Sequence, residues 1–412
     1  MNDISKSRFK VLVSAFTCLP NRGSESGVAW NWMINLAERG VHVILVTQER
    51  NRVAIDKWKS QDKNDKLSNV DFIYVSLRGS KDIPFGIIGH HIYYNIWQLL
   101  ALIKILKTGK WREVDIVHHL VYGGINTWSY LFLLPKPFMF GPVGGGELSP
   151  FSIVRRFGFK PFLLELVRFV LVQLSKINPI LLIMQVRART VLVKTPESAK
   201  CMLVARNKVK VSVEIGSPTH SSKQLIARDY NKSGVNIVFA GRLIYWKGSE
   251  LLIDALELLD GKGLGISVAI VGSGILSEKL RSRAKSFMDI RVKFTGSISQ
   301  SELFGFYRDA DIFVFPSTHD SSGNVVLEAM SFGLPVVCLD LGGPPLLVGD
   351  AGIIIATRRR PVSQVSADIA YGIERLSIDK ELRMKLSELA INQSKYYTWN
   401  EAVSRGYGDL LN

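Results

Sequence analysis

Cysteine is scarce in this 412-residue chain, with Cys18, Cys201 and Cys338 far apart in sequence. No C-x-x-C redox or zinc motif is therefore present, and the odd number argues for a reducing compartment in which three buried thiols stay unpaired. Low-complexity tracts and short-period repeats are missing too. So is any clean apolar run of the roughly 20 residues that a bilayer crossing needs. Lys6, Arg8 and Lys10 precede an apolar stretch at residues 11–19 in the manner of a signal peptide. Pro20, Asn21 and Arg22 stand where a small-residue cleavage site belongs, so the stretch reads as a first β-strand.

Acidic residues are also few, 36 against 52 lysines and arginines, for a formal charge of +16. The deficit is uneven. Residues 1–200 hold 27 basic and 14 acidic side chains, a balance of +13, which leaves +3 for the remainder. Such asymmetry points to a polyanionic partner for the first half. Zinc-finger spacing, an RNP-like aromatic strand and a polybasic tail are all absent, which argues against nucleic acid. Residues 91–106 and 161–185 are strongly apolar and bordered by Lys104, Lys107, Lys110, Arg155, Arg156 and Lys160. Glu165, Arg168, Lys176 and Pro179 interrupt the second, so both fit helices lying in an anionic lipid interface; helices packed on a sheet with a basic solvated face fit equally.

Each half alternates short β-branched runs with longer helical patterns, the mark of doubly wound parallel sheets. The spacing predicts strands at 10–14, 41–47, 70–75, 115–118, 138–141 and 190–193. A second set falls at 235–241, 266–272, 292–296, 311–316, 335–339 and 352–355. Two Rossmann-like domains follow, residues 1–215 and 235–395. Residues 216–234 form a Ser-rich linker, and a C-terminal helix within 396–412 returns to the first domain. In such α/β pairs ligands bind outside the carboxyl ends of the strands, in the crevice between domains.

Beyond the predicted strand 311–316, Asp320 and Glu328 stand eight apart with Gly323 between them, and Asn324 and Val325 open a short helix. Exposed amides at that helix start can cradle a phosphate, and a carboxylate deeper in the helix can accept both hydroxyls of a ribose. By themselves two acids at this spacing also fit a helix-dipole partner and an unrelated surface glutamate. Arg242 and Lys247 follow the strand 235–241, in the loop before Gly248 and Ser249, where a guanidinium and an ammonium would neutralise a diphosphate. Gly241 and Gly272 close two neighbouring strands. Asp309-Ala310-Asp311 imitates a D-x-D metal motif, but it joins a helix end to an apolar strand. No oxygen-rich shell accompanies it, so metal-independent chemistry is expected.

Residues 241–356 resemble the nucleotide-sugar domain of the retaining GT-B glycosyltransferases of family four, a group common in bacterial cell-surface polysaccharide synthesis. The matching features are the Gly241-Arg242 and Lys247 pair, Pro316-Ser317 before an acidic loop, and an E-x7-E pattern carried by Asp320, Gly323 and Glu328. Asp replaces the family's first Glu, and Pro345 follows the Gly342-Gly343 turn where an acid is common. The resemblance implies a GT-B fold, two Rossmann-like domains facing across a cleft. It also implies that Glu328 binds the donor ribose, that Asp320 lies near the transferred sugar and that Arg242 and Lys247 hold the pyrophosphate. Residues 20–27 resemble the family's Gly-rich loop, with Gly23 and Ser24 approaching the donor. The run 140–147 (FGPVGGGE) resembles a second cleft loop. A histidine near the sugar's reacting face is represented by His118 or His119, one of which strand alternation would aim inward.

What these features imply together is transfer of a sugar from a nucleoside-diphosphate sugar, without further cofactor, to a glycan or lipid-linked acceptor on the cytoplasmic face of the inner membrane. Retention fits same-face attack, or else double displacement with Asp320 as nucleophile. A nucleotide-sugar epimerase of the same architecture and a non-catalytic binder of membranes or polyanions are the competing readings.

Overall fold

The computed structural model describes residues 9–20, 23–77, 86–217 and 228–411. Parts of the N-terminal basic segment and most of the expected linker, residues 218–227, lie outside the described residues. In chain order the elements begin β1 (Lys10–Ser14), α1 (Ser24–Glu38), β2 (His42–Gln48), α2 (Arg52–Gln61), β3 (Val70–Val75), α3 (Gly86–Thr108), β4 (Ile116–His119) and β5 (Phe138–Val143). They continue with α4 (Phe151–Val154), α5 (Phe159–Ile177), α6 (Pro179–Arg187), β6 (Ala188–Val193), α7 (Pro196–Ala199) and β7 (Val209–Val211). Next come β8 (Val235–Ala240), α8 (Ser249–Leu259), β9 (Ile266–Val271), α9 (Ser277–Ala284), β10 (Arg291–Gly296), α10 (Gln300–Asp309), β11 (Ile312–Phe315), α11 (Asn324–Ser331) and β12 (Val336–Leu339). The last are α12 (Pro344–Val348), β13 (Gly352–Ile355), α13 (Val362–Ile378), α14 (Lys380–Lys395) and α15 (Trp399–Leu411).

Two compact units result. The first joins the described residues up to Gly146 with Leu171–Glu214 and α15, and the second joins Glu147–Val170 with the described part of Ile215–Thr398. Glu147–Val170, expected in the first domain, thus packs with the second, because hydrogen bonds tie it there: the Ser149 hydroxyl lies 2.9 Å from that of Thr318, and Ser321 donates to Glu147 at 3.1 Å.

The first unit holds a seven-stranded sheet in the order β3-β2-β1-β4-β5-β6-β7, the second a six-stranded sheet in the order β10-β9-β8-β11-β12-β13. Every strand pair is parallel. Central strands such as VLV in β1, VILV in β2 and IFVF in β11 are buried throughout, as they must be when helices cover both faces. The short edge strand β7 was not foreseen; its VKV sequence is half exposed and carries no apolar run. Chain order reverses between β1 and β4 and again between β8 and β11, so each sheet has a switch point where two carboxyl ends open side by side.

α15 closes the first unit through α1. Trp32 is fully buried and donates its indole N–H to the Glu214 carbonyl at 2.8 Å, while Arg39 donates to the Asn400 carbonyl at 2.7 Å. In the second unit the β8–α8 connection turns on Gly248, whose φ of +75° is left-handed; a side chain there would strike the Pro316 carbonyl at the end of β11. Gly248→Ala should therefore cost about 2 kcal/mol or more of stability, because backbone strain and a clash with main chain add. A urea midpoint equal to that of wild type would show that the two strand ends are not packed this closely.

Candidate functional site

The switch point of the second unit gathers the loops after β8 and β11. After β8 the chain passes Gly241 and Arg242 into a turn of 3₁₀ helix at Tyr245–Lys247. After β11 it runs through Ser317 and Thr318 to Asp320 and into α11. The Trp246 carbonyl joins the two by accepting from the Thr318 N–H at 2.8 Å and the Ser317 hydroxyl at 2.9 Å. Across this join Lys247 Nζ donates to Asp320 Oδ2 in an ion pair whose side chains are 17% and 15% exposed. Asp320 Oδ1 accepts the N–H groups of Ser322 at 3.1 Å and Gly323 at 2.8 Å, which fixes the turn that starts α11. Burial works against the carboxylate's charge, but Lys247 and these two amides outweigh it and hold the carboxyl below its ordinary range.

Gly323, at φ +74°, lets α11 begin directly beyond that turn. Among the described residues no acceptor takes the N–H of Asn324 or Val325, so the helix offers the free donors that an anion requires. The Gly342-Gly343 turn backs the loop, with Gly343 N–H donating to the Asp320 carbonyl at 2.8 Å. Gly241 and Gly272 carry β8 and β9 past their ends: Gly241 N–H meets the Val271 carbonyl at 2.9 Å, and a side chain at Gly272 would strike the Gly241 carbonyl.

Arg242 is exposed, its guanidinium 5.8 Å from the Trp246 ring centre, and among the described residues it pairs with no carboxylate. Glu328 lies one to two turns into α11. Its Oε1 accepts from Gln300 Nε2 at 2.8 Å, and the Tyr307 hydroxyl stands 3.5 Å from Oε2. The structure therefore brings Lys247, Asp320 and Gly323 into one hydrogen-bonded cluster, while Glu328 is held from the α10 side. Sequence reasoning missed Gln300 and Tyr307, since neither belongs to a motif.

It also missed a polar cluster beside Asp320. Arg168 donates to His319 Nε2 at 2.5 Å, and a guanidinium can only donate, so the neutral ring carries its proton on Nδ1. Burial first and Arg168 second push His319 down to about 4. Glu165, buried on the same helix, accepts the Ser149 N–H at 2.7 Å.

The remaining expected residues belong to the first unit. His118 and His119 are both buried. His118 donates from Nε2 to the Gly141 carbonyl at 2.7 Å and accepts the Tyr407 hydroxyl on Nδ1 at 2.6 Å; burial pushes it down to about 4. His119 Nε2 lies 3.2 Å from the Tyr94 hydroxyl, and burial pushes this ring down to about 3. Alternation was expected to aim only one of the two rings into the cleft. A parallel strand covered on both faces buries both. The expected loop at 20–27 is shorter than foreseen, because Ser24 already begins α1; Gly23 precedes it, exposed and extended, with open space around its α-carbon. Among the described residues no group of three or more His, Cys, Asp or Glu side chains is arranged to hold a metal ion.

Residues 234–376 match the family model of glycosyl transferases group 1. The matched stretch includes β8 through β13 and both sides of the Lys247–Asp320 pair. A D-inositol 3-phosphate glycosyltransferase of Corynebacterium jeikeium is 33% identical over 187 residues, 42% of this chain and 43% of that protein. The sulfoquinovosyl transferase SQD2 of Arabidopsis thaliana is 30% identical over 174 residues, 41% of this chain and 32% of that protein. The chain thus spans well under half the length of these curated relatives. Solved structures align over nearly the whole chain. Anabaena Alr3699/HepE in complex with UDP and glucose has a TM-score of 0.57 at 16% identity, covering 98% of this chain and 99% of that one. WaaG, a glycosyltransferase involved in lipopolysaccharide biosynthesis, has a TM-score of 0.55 at 17% identity, covering 97% and 100%. The fold is GT-B: two Rossmann-like parallel-sheet domains.

Glu328 gives this site a pH signature. Burial pushes its carboxyl up to about 7, against the opposing pull of Gln300 and Tyr307. A carboxyl raised on folding contributes stability that is complete below the ordinary carboxylate range and is lost as pH rises through about 7. Glu328→Gln removes that loss, so the variant should gain stability relative to wild type as pH climbs to about 7, then hold level. Urea unfolding at a series of pH values would show a pH-independent difference if the carboxyl were unshifted.

Proposed function

We propose that this chain is a retaining, metal-independent glycosyltransferase. In this reading it moves a sugar from a nucleoside-diphosphate sugar to a glycan or lipid-linked acceptor at the cytoplasmic face of an anionic inner membrane, in cell-surface polysaccharide synthesis. The observation that carries the reading is the Lys247–Asp320 pair at the switch point, beside the unclaimed amides of α11. The names of the relatives support sugar transfer, and the charge excess of the first 200 residues supports an anionic surface.

Cleavage of the bond between an anomeric carbon and a diphosphate builds positive charge on the sugar and negative charge on the leaving phosphate. Lys247, turning from Asp320 to the diphosphate, would neutralise the latter together with Arg242 and the amides of Asn324 and Val325. Glu328 would accept the ribose hydroxyls. Asp320 is a poor nucleophile in this setting, since the amides of Ser322 and Gly323 hold its Oδ1 to the turn that starts α11. That favours same-face attack, with the leaving phosphate taking the acceptor's proton, over a covalent glycosyl-enzyme.

The test is incubation with a panel of nucleotide sugars and a lipid extract in the presence of a chelator. Transfer should persist. Lys247→Ala should slow turnover roughly a hundredfold, and Glu328→Ala should weaken donor binding by a similar factor, as expected for groups that bind the charged transition state or hold the donor. An isomerised donor with no acceptor product would make the protein an epimerase, and lack of any nucleotide binding would make it a non-catalytic binder.

A further inference from the structure

α5 is inside out. Leu163, Leu166, Val167, Val170, Leu174 and Ile177 are each at least 40% exposed and recur every three to four residues, a continuous outward stripe. The inward face at 165, 168, 172 and 175 carries Glu165, Arg168, Val172 and Ser175, of which all but the half-buried Arg168 are buried. A helix of a soluble surface has the reverse arrangement. The stripe continues after a break at Asn178 into α6, where Ile180, Ile183 and Val186 are exposed at spacings of three. So large an apolar face left against water requires an occupant.

We infer that the outward face of α5 and α6 docks on an anionic phospholipid bilayer, lying in its interface; this rests on the membrane clause of the proposed function and names the surface that serves it. Charge selects the occupant. Arg155 and Lys160 stand exposed at one end of the pair and Arg187 and Arg189 at the other. Cations beside an apolar face suit lipid phosphates, whereas a second copy of the chain would set the same cations against each other. The combination recurs on α3, where Ile92, Ile96, Leu99, Ile103 and Leu106 are exposed beside Lys104 and Lys107. The inward polar face decides how deep the helix goes. Glu165 and Arg168 are engaged by Ser149 and His319, so only one side of α5 can meet lipid. Among the described residues no single helix is long and apolar enough to cross a membrane, and α5 and α6 are bent by 54°.

Flotation of the full chain with phosphatidylcholine vesicles, with and without phosphatidylglycerol, tests this independently of any sugar chemistry. The protein should float with the anionic vesicles and be released by high salt. Leu166→Glu combined with Val170→Glu should reduce binding roughly tenfold or more. Val170→Cys, labelled with an environment-sensitive dye while the three native cysteines stay buried, should shift to the blue on those vesicles even if the double variant folds poorly. Failure to float, an unshifted dye, or a lipid-independent dimer dispersed by the glutamates would each overturn the inference. Nucleotide binding measured on the same sample keeps that failure separate from failure of the transferase reading.

Discussion

An ammonium and a carboxylate held together at the carboxyl end of a parallel sheet are the constraint on which the second unit's chemistry depends. Lys247 and Asp320 come from loops after adjacent strands, and both are largely withdrawn from water. Two charges so placed must satisfy each other or be satisfied by a ligand, because leaving either alone costs several kcal/mol. Everything around them follows from that requirement: Gly248 lets the lysine turn pass under Pro316, the Trp246 carbonyl ties it to Thr318, and the amides of Ser322 and Gly323 complete the carboxylate. In the proposed function a diphosphate arriving at this point would offer the lysine a partner of higher charge.

Much of this was legible in the sequence, for a definite reason. Parallel strands are apolar almost throughout, so β1, β3 and β13 could be bounded to the residue and the others, β7 apart, to within one or two. The glycines and charges that follow β8 and β11 sit at fixed offsets from those strands, which is why Arg242, Lys247, Asp320 and Gly323 could be named. What escaped notice depends on partners distant in the chain. Nothing local says that Tyr407 will bond to His118, 289 residues away, or that Ser149 will reach Thr318, 169 away, and so draw the stretch 147–170 into the second unit. The same holds for Gln300 and Tyr307 around Glu328. β7 was missed because a half-exposed edge strand of three residues has no pattern to detect.

α5 links two themes that the sequence presented separately. Its apolar character was plain from composition, but which side faced the protein was not, since Glu165 and Arg168 could have pointed to solvent. The structure turns them inward, where Arg168 holds His319 immediately before Asp320. A helix with a long exposed apolar face is therefore also the one that braces the acid loop.

The central claim is that Lys247, held at the switch point by Asp320, turns to seat a diphosphate without a metal. Calorimetric titration of nucleoside diphosphates into the protein in excess chelator tests it most directly. One base should bind, with heat that disappears when Lys247 is replaced by alanine. Binding that appears only with an added divalent cation, or that survives loss of the lysine undiminished, would contradict the account.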